Sequence, residues 1–212
     1  MALHKSTMPV FGSIKACPPL CFAGQRIGLL GGTFNPPHAG HRLITQIALR
    51  RLQLDALWWL VTPGNPLKER QKLPPLDARL KACRKFISDP RVRVTGFEQH
   101  LATPFTVATL AFLKLRRPGT HFIWVMGADN LASLHHWRYW RDIFRLMPVA
   151  VIDRPDWHLP AMSSPAAETF AAYCWPESHA MQLAGMPCPA FSFLTGPLSP
   201  LSSSKIRAHD NT

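Results

Sequence analysis

The chain has 212 residues, and its 24 lysines and arginines against 12 acidic residues give a formal charge of +12. With 47% hydrophobic and 17% charged residues it is too apolar for a disordered chain, and it holds no run of ~18 apolar residues to span a membrane. The charge asks for an anionic partner, whether nucleic acid, a membrane surface or a phosphorylated small molecule, and does not choose among them.

Residues 1–25 contain no continuous apolar segment and are broken by Pro9, Pro18 and Pro19. They read as a loosely ordered N-terminal extension rather than a secretory leader, with Met8 as an alternative start. Residues 26–212 read as one domain. Within it, 26–31 (RIGLLG) is a short apolar strand ended by glycines. A helix is expected from about residue 40 to 52, with Ile44, Ile47 and Ala48 on its apolar stripe. Residues 56–63 (ALWWLVTP) read as a second buried strand, followed by a basic, breaker-rich loop. Asp77 is placed to cap a helix running to residue 87, on which Arg79, Lys81, Arg84 and Lys85 read as solvated surface.

Residues 91–95 alternate as a strand, and Thr106 begins a helix stopped by Pro118 and Gly119. Residues 121–127 (HFIWVMG) form a fourth strand, 131–145 a helical stretch, and 147–155 contain a fifth strand. Residues 155–190 are the least legible part; 191–194 is a short strand, and 202–207 starts a last helix. Strands alternating with helices imply an α/β fold of Rossmann-like, doubly wound type. A mostly parallel sheet would form the middle of a three-layer α/β/α sandwich. Ligands of such sheets sit beyond the carboxyl ends of the strands, where strand order reverses. The five cysteines, Cys17, Cys21, Cys83, Cys174 and Cys188, are odd in number and scattered. They fit reduced thiols of a cytoplasmic protein better than a disulfide framework or a zinc site.

The loop after the first strand, GGTFNPPHAGH, carries the chemistry. Gly31 and Gly32 would let backbone approach a ligand, and Pro36 and Pro37 stiffen the loop. A helix N-terminus at Gly40 favours phosphate. His38 and His41 share one face of its first turn, where both rings can donate to phosphate oxygens. The segment is neither a P-loop nor a GxGxxG turn.

This loop resembles the (T/S)F-x-P-x-H-x-G-H signature of the nucleotidyltransferase superfamily. Three more segments narrow the likeness to the bacterial nicotinate-nucleotide adenylyltransferases: PGNPLKER (63–70), WVMGADNLASLHHWRYWRDIF (124–144) and LSSSKIR (201–207). The resemblance covers residues 26 to 207. It implies transfer of the adenylyl group of ATP to nicotinate mononucleotide, giving deamido-NAD and pyrophosphate. The acceptor phosphate would attack directly, without a covalent enzyme intermediate, and Mg²⁺ would come with ATP; no protein metal site is expected.

By the same resemblance, His38, His41 and Arg207 are the catalytic candidates. Gly32, Thr33, Phe34, Gly127, Asp129, Ser202 and Ser203 join them as ATP-binding candidates. Asn65, Lys68, Thr106, Trp137 and Arg154 are the candidates for nicotinate mononucleotide. Competing roles are a helix cap for Asp129, core packing for Trp137 beside Trp124 and Trp140, and a serine cap with a solvated basic tail for 202–207. The family's aromatic residue after this tryptophan is Arg138 here, and its frequent aspartate in the first motif is Asn35. The chain ends five residues after Arg207, so the last helix is expected to be short. Alternatives are the same chemistry on another acceptor, NMN or phosphopantetheine, and a basic nucleic-acid-binding module. The module lacks an aromatic-basic platform or recognition helix. ATP and nicotinate mononucleotide are therefore the expected partners, with neither nucleic acid nor membrane, as a monomer or a homodimer.

Overall fold

A computed structural model describes residues 16–64 and 73–196. In chain order the elements are β1 (Arg26–Gly32), α1 (Ala39–Arg51), β2 (Ala56–Val61), α2 (Leu76–Phe86), β3 (Val92–Thr95), α3 (Thr106–Arg116) and β4 (His121–Gly127). Then come α4 (Ala128–Ser133), α5 (Trp140–Leu146), β5 (Val149–Ile152), α6 (His158–Met162), α7 (Pro165–Thr169), β6 (Cys174–Trp175) and β7 (Phe191–Leu194). The strands form one sheet of order β3-β2-β1-β4-β5-β7-β6, and every pairing among them is parallel.

The expected doubly wound architecture is present, and its physical cause is the two-residue period of the strands. Leu29, Trp58, Leu60, Trp124, Met126, Val149 and Val151 pack on one face with residues of α3, α5 and α7. Leu30, Leu57, Trp59, Val61, Ile123, Val125, Ala150 and Ile152 pack on the other with α1 and α2. With both faces covered, the central strands read as continuous apolar runs rather than alternating ones. The chain moves outward from β1 through β2 to β3, then returns to place β4 on the other side of β1. Strand order therefore reverses between β1 and β4, and the cleft lies beyond their carboxyl ends.

Several local expectations change. Asp77 does not cap α2: the capping position is Pro75, without a side-chain hydrogen bond, and Asp77 lies in the first turn, where its charge suits the dipole. The helical stretch at 131–145 is split into α4, a short 3₁₀ turn at Leu134–His136, and α5. Tyr139, with φ of 59°, turns the chain in left-handed geometry just before α5. Residues 155–190 hold α6, α7, the two-residue β6 and a 3₁₀ segment at Glu177–Gly185. Ahead of β1, Ala16 is buried in the core, Gly24 N–H donates to Gly119 O at 2.7 Å, and Thr120 Oγ1 donates to Phe22 O at 3.3 Å. No disulfide joins the cysteines, and burial pushes the Cys83 thiol up to about 12. Among the described residues no helix is long and apolar enough to cross a membrane.

The glycine pair closing β1 has an internal explanation. A Cβ on Gly31 would lie 2.6 Å from the six-ring tip of Trp124, and one on Gly32 would lie 3.2 Å from the Phe34 ring. Aromatic rings of the protein, rather than a ligand, occupy the space these side chains would need. Trp124 is a large ring buried in the core, with little room to turn aside. Gly31→Ala is expected to destabilise the fold by about 1–3 kcal/mol through overpacking. The check is the urea midpoint at unchanged m-value.

Candidate active site

The first turn of α1 leaves backbone N–H groups without helical partners and has no acidic side chain to receive them. Two imidazoles do so instead. His38 occupies the cap in extended geometry, and its Nδ1 accepts from Gly40 N–H at 3.1 Å. His41, one turn on, returns the contact: its Nδ1 accepts from His38 N–H at 3.3 Å. This is a capping box with histidine at both ends in place of the usual serine and glutamate.

The reciprocal cap sets the protonation of both rings. A backbone N–H can only donate, so both Nδ1 atoms are unprotonated, and the neutral rings carry their proton on Nε2. Burial, and then the Arg154 cation, lower the His38 pKa to about 4, with Asp129 opposing. Burial likewise holds His41 well below the ordinary value, followed by His38 and Arg154. The ring centroids are 3.8 Å apart, too close for two imidazolium ions to share the site. At neutral pH the loop offers two uncharged Nε2–H donors.

His41 is held from behind. Its ring lies 4.6 Å from that of Phe34, which stacks at 4.7 Å on Trp59. Thr45 Oγ1 donates to His41 O at 2.8 Å and receives Trp59 Nε1–H at 2.9 Å. Phe34, expected at ATP, is only 1% exposed. Its ring is a support for His41, and only its backbone remains for a ligand.

The end of β4 and the end of β5 meet the same loop. Arg154 Nη1 lies 3.0 Å from Asp129 Oδ2. Gly127 makes room for this pair, since a Cβ there would sit 2.5 Å from Asp129 Oδ1 and 3.0 Å from Arg154 Cδ. Asp129 does not cap α4, whose capping position is Gly127 without a side-chain bond. Asp129 Oδ1 is buried and has no hydrogen-bond partner in the protein. Among the described residues no three His, Cys, Asp or Glu side chains are grouped to hold a metal ion.

A second group of candidates lies at the start of α3. Thr106 is its first residue, after Phe105 at the cap, and neither a side-chain cap nor an acidic residue occupies the first turn. The Phe105 ring meets Tyr139 edge-on at 6.3 Å, and the Arg138 guanidinium lies over both rings, at 5.2 and 5.3 Å. Arg138, which has no assigned task in the sequence, thus ties the start of α3 to the segment carrying Trp137. Trp124 and Trp140 are core residues, whereas Trp137 is only partly buried against the core.

Comparison with known proteins agrees with this geometry. Residues 29–209 match the family model described as cytidylyltransferase-like. A Methylorubrum extorquens protein named "Probable nicotinate-nucleotide adenylyltransferase" is 53% identical over 86% of this chain and 99% of its own length. Proteins of the same name from Agrobacterium fabrum and Brucella abortus are 51% and 49% identical, each over 85% of this chain and 97% and 93% of their own lengths. The chain belongs to the nicotinate-nucleotide adenylyltransferases. The fold is also that of a Plasmodium falciparum nicotinic acid mononucleotide adenylyltransferase solved in complex with NaAD. That likeness has a TM-score of 0.67 at 16% identity, over 87% of this chain and 83% of the other.

Of the residues expected at an adenylyltransferase site, His38, His41, Gly127, Asp129 and Arg154 converge. Arg154, expected at the acceptor phosphate, instead lies against Asp129 and near His38, both expected at ATP. Thr106 opens α3, and Trp137 lies in the segment that Arg138 ties to it. Asn65, Lys68, Ser202, Ser203 and Arg207 lie outside the described residues.

Arg79 corrects the surface reading of α2. It is 3% exposed, and its guanidinium donates to the carbonyls of Pro74, Thr33, Thr62 and Pro63. Lys81, Arg84 and Lys85 are exposed as expected. Arg79 sits beside Leu80 and four residues before Cys83, on the buried face of α2. That spacing was the available signal.

The lowered histidine pKa has a sign that can be tested. His38 binds its proton more weakly folded than unfolded, so its contribution to stability is present above about pH 6.5 and is lost as pH falls toward 4. His38→Asn keeps a capping acceptor that does not titrate. Urea midpoints measured from pH 7 to 4 are expected to fall less steeply in this variant than in the wild type.

Proposed function

We propose that this chain transfers the adenylyl group of MgATP to nicotinate mononucleotide, releasing pyrophosphate and forming deamido-NAD. A 5′-phosphate oxygen of the acceptor forms the new bond to the α-phosphorus as the bond to the β-phosphate bridging oxygen breaks. The pyrophosphate leaves with that electron pair, and no enzyme side chain becomes covalently attached. The observation that carries this reading is the pair of neutral histidine donors beside Arg154 at the reversal point of the sheet.

In this reading His38 and His41 donate Nε2–H to ATP phosphate oxygens. Because the rings are already neutral and fixed by the backbone, they need no reorganisation as charge shifts toward the leaving group. Arg154 supplies positive charge where the two substrates' phosphates meet, and the part-exposed Asp129 carboxylate accepts from the adenosine. Arg207, with Ser202 and Ser203, serves the outer phosphates, where a guanidinium fork suits the geometry. Gly32 and Thr33 present backbone to the nucleotide. Asn65 and Lys68 serve the acceptor phosphate. The open N-terminus of α3 at Thr106 receives the nicotinate carboxylate, which its dipole favours, and Trp137 stacks on the ring. The Mg²⁺ travels with the polyphosphate, in keeping with a cation usually held by phosphate oxygens and waters. We place the reaction in the cytoplasm.

The direct test is pyrophosphate release from MgATP with either nicotinate mononucleotide or NMN. Turnover of the nicotinate acceptor at a kcat/KM well above that of NMN is expected; equal or better use of NMN would overturn the acceptor assignment. His41→Ala should lose about 10²–10³ in kcat, the usual effect of removing one transition-state donor. Full activity in that variant would remove the mechanism. For Trp137→Ala, the KM for the nicotinate acceptor should rise about two- to tenfold, in line with an aromatic contact of about 0.5–1.5 kcal/mol. Its KM for ATP should stay unchanged.

A further inference from the structure

We propose that Arg79 is a positioning residue for the triphosphate of ATP, acting through the backbone of the histidine loop. Three chain segments converge on its guanidinium. Nη1 donates to Thr33 O at 2.9 Å, in the loop after β1, and to Thr62 O at 2.7 Å, beyond β2. Nη2 donates to Pro63 O at 3.2 Å and Nε to Pro74 O at 3.0 Å, just ahead of α2. A planar fork can hold four carbonyls fanned around it; a lysine ammonium, with three donors on a flexible stem, cannot reproduce that geometry.

Two observations separate this arrangement from ordinary packing. First, no carboxylate pairs with Arg79 among the described residues. A buried cation held only by carbonyl dipoles costs desolvation that an apolar side chain would avoid. Its net positive charge lies under the loop assigned to the most highly charged substrate. Second, the grip on Thr33 O fixes the peptide leading into Phe34, whose φ of 47° is uncommon for a bulky residue and must be held in place. The Phe34 ring then supports His41 at 4.6 Å. Contact runs from Arg79 through Thr33 and Phe34 to the donor itself.

The inference rests on ATP being the adenylyl donor; absence of wild-type turnover would defeat that reading, whereas Arg79 is judged by ratios to wild type. Arg79→Lys, checked for native circular dichroism and a cooperative melt, should raise the KM for ATP and lower kcat, each by about tenfold. The KM for the acceptor should move less than about threefold. Combined with His41→Ala, it should add little to the loss from His41→Ala alone, because both act on the same donor. Unchanged constants per folded molecule, or fully additive losses, would make Arg79 purely structural and overturn the proposal. If Arg79→Lys does not fold, the wild type decides by ¹⁵N NMR of the Arg79 side chain. Its resonances should shift on adding a non-hydrolysable MgATP analogue and stay in place on adding the acceptor alone. No shift with the analogue would overturn the proposal.

Discussion

The N–H groups that open α1 need acceptors, and the chain supplies two imidazole nitrogens. This one exchange of hydrogen bonds, His38 to Gly40 and His41 to His38, has consequences at every level of the site. It ends the loop and starts the helix. It fixes the tautomer of both rings, since a nitrogen that accepts from backbone cannot also hold a proton. With burial it keeps both rings neutral. A helix start capped by aspartate or serine would be as stable, but it would put an acceptor or a negative charge where we propose that a phosphate binds. Histidine satisfies the backbone with one nitrogen and keeps a donor on the other.

The cap works only because the surrounding core holds it. Gly31 and Gly32 lack side chains so that Trp124 and Phe34 can fill the space. Phe34 carries the packing forward from Trp59 to His41, and the hydroxyl of Thr45 joins the same two residues by hydrogen bonds. The rigidity of the histidine loop is therefore borrowed from the interior. The polar counterpart is Arg79, which holds the carbonyl side of the same loop against the segments flanking β2 and α2.

Asp129, in α4 just after β4, and Arg154, just after β5, meet because β4 and β5 are adjacent in the sheet. Their pairing leaves one carboxylate oxygen without a partner and places a cation near both histidines. Charge at this point is arranged by topology. In a parallel sheet all strand ends point the same way, so residues that follow β1, β4 and β5 collect on one side wherever they lie in the chain.

Much of this was legible in the sequence. Apolar runs bounded by glycine and proline marked the central strands, because a strand buried on both faces must be apolar throughout. The histidine loop was legible because a strand, a glycine pair and a helix start surround it, and the short strand at Phe191–Leu194 appeared where expected. Residues 155–190 were obscure because their helices span only five residues each, too short to show a helical period. Local pattern determined most of the elements that form and singled out the histidine loop as the candidate site. Only the tertiary structure decided that Arg79 points inward, that Gly31 is spaced by Trp124, that Arg138 clamps two aromatic rings, and that Arg154 meets Asp129. Each of these depends on contacts between residues far apart in the chain, and the period of a single helix or strand carries no record of what lies across from it.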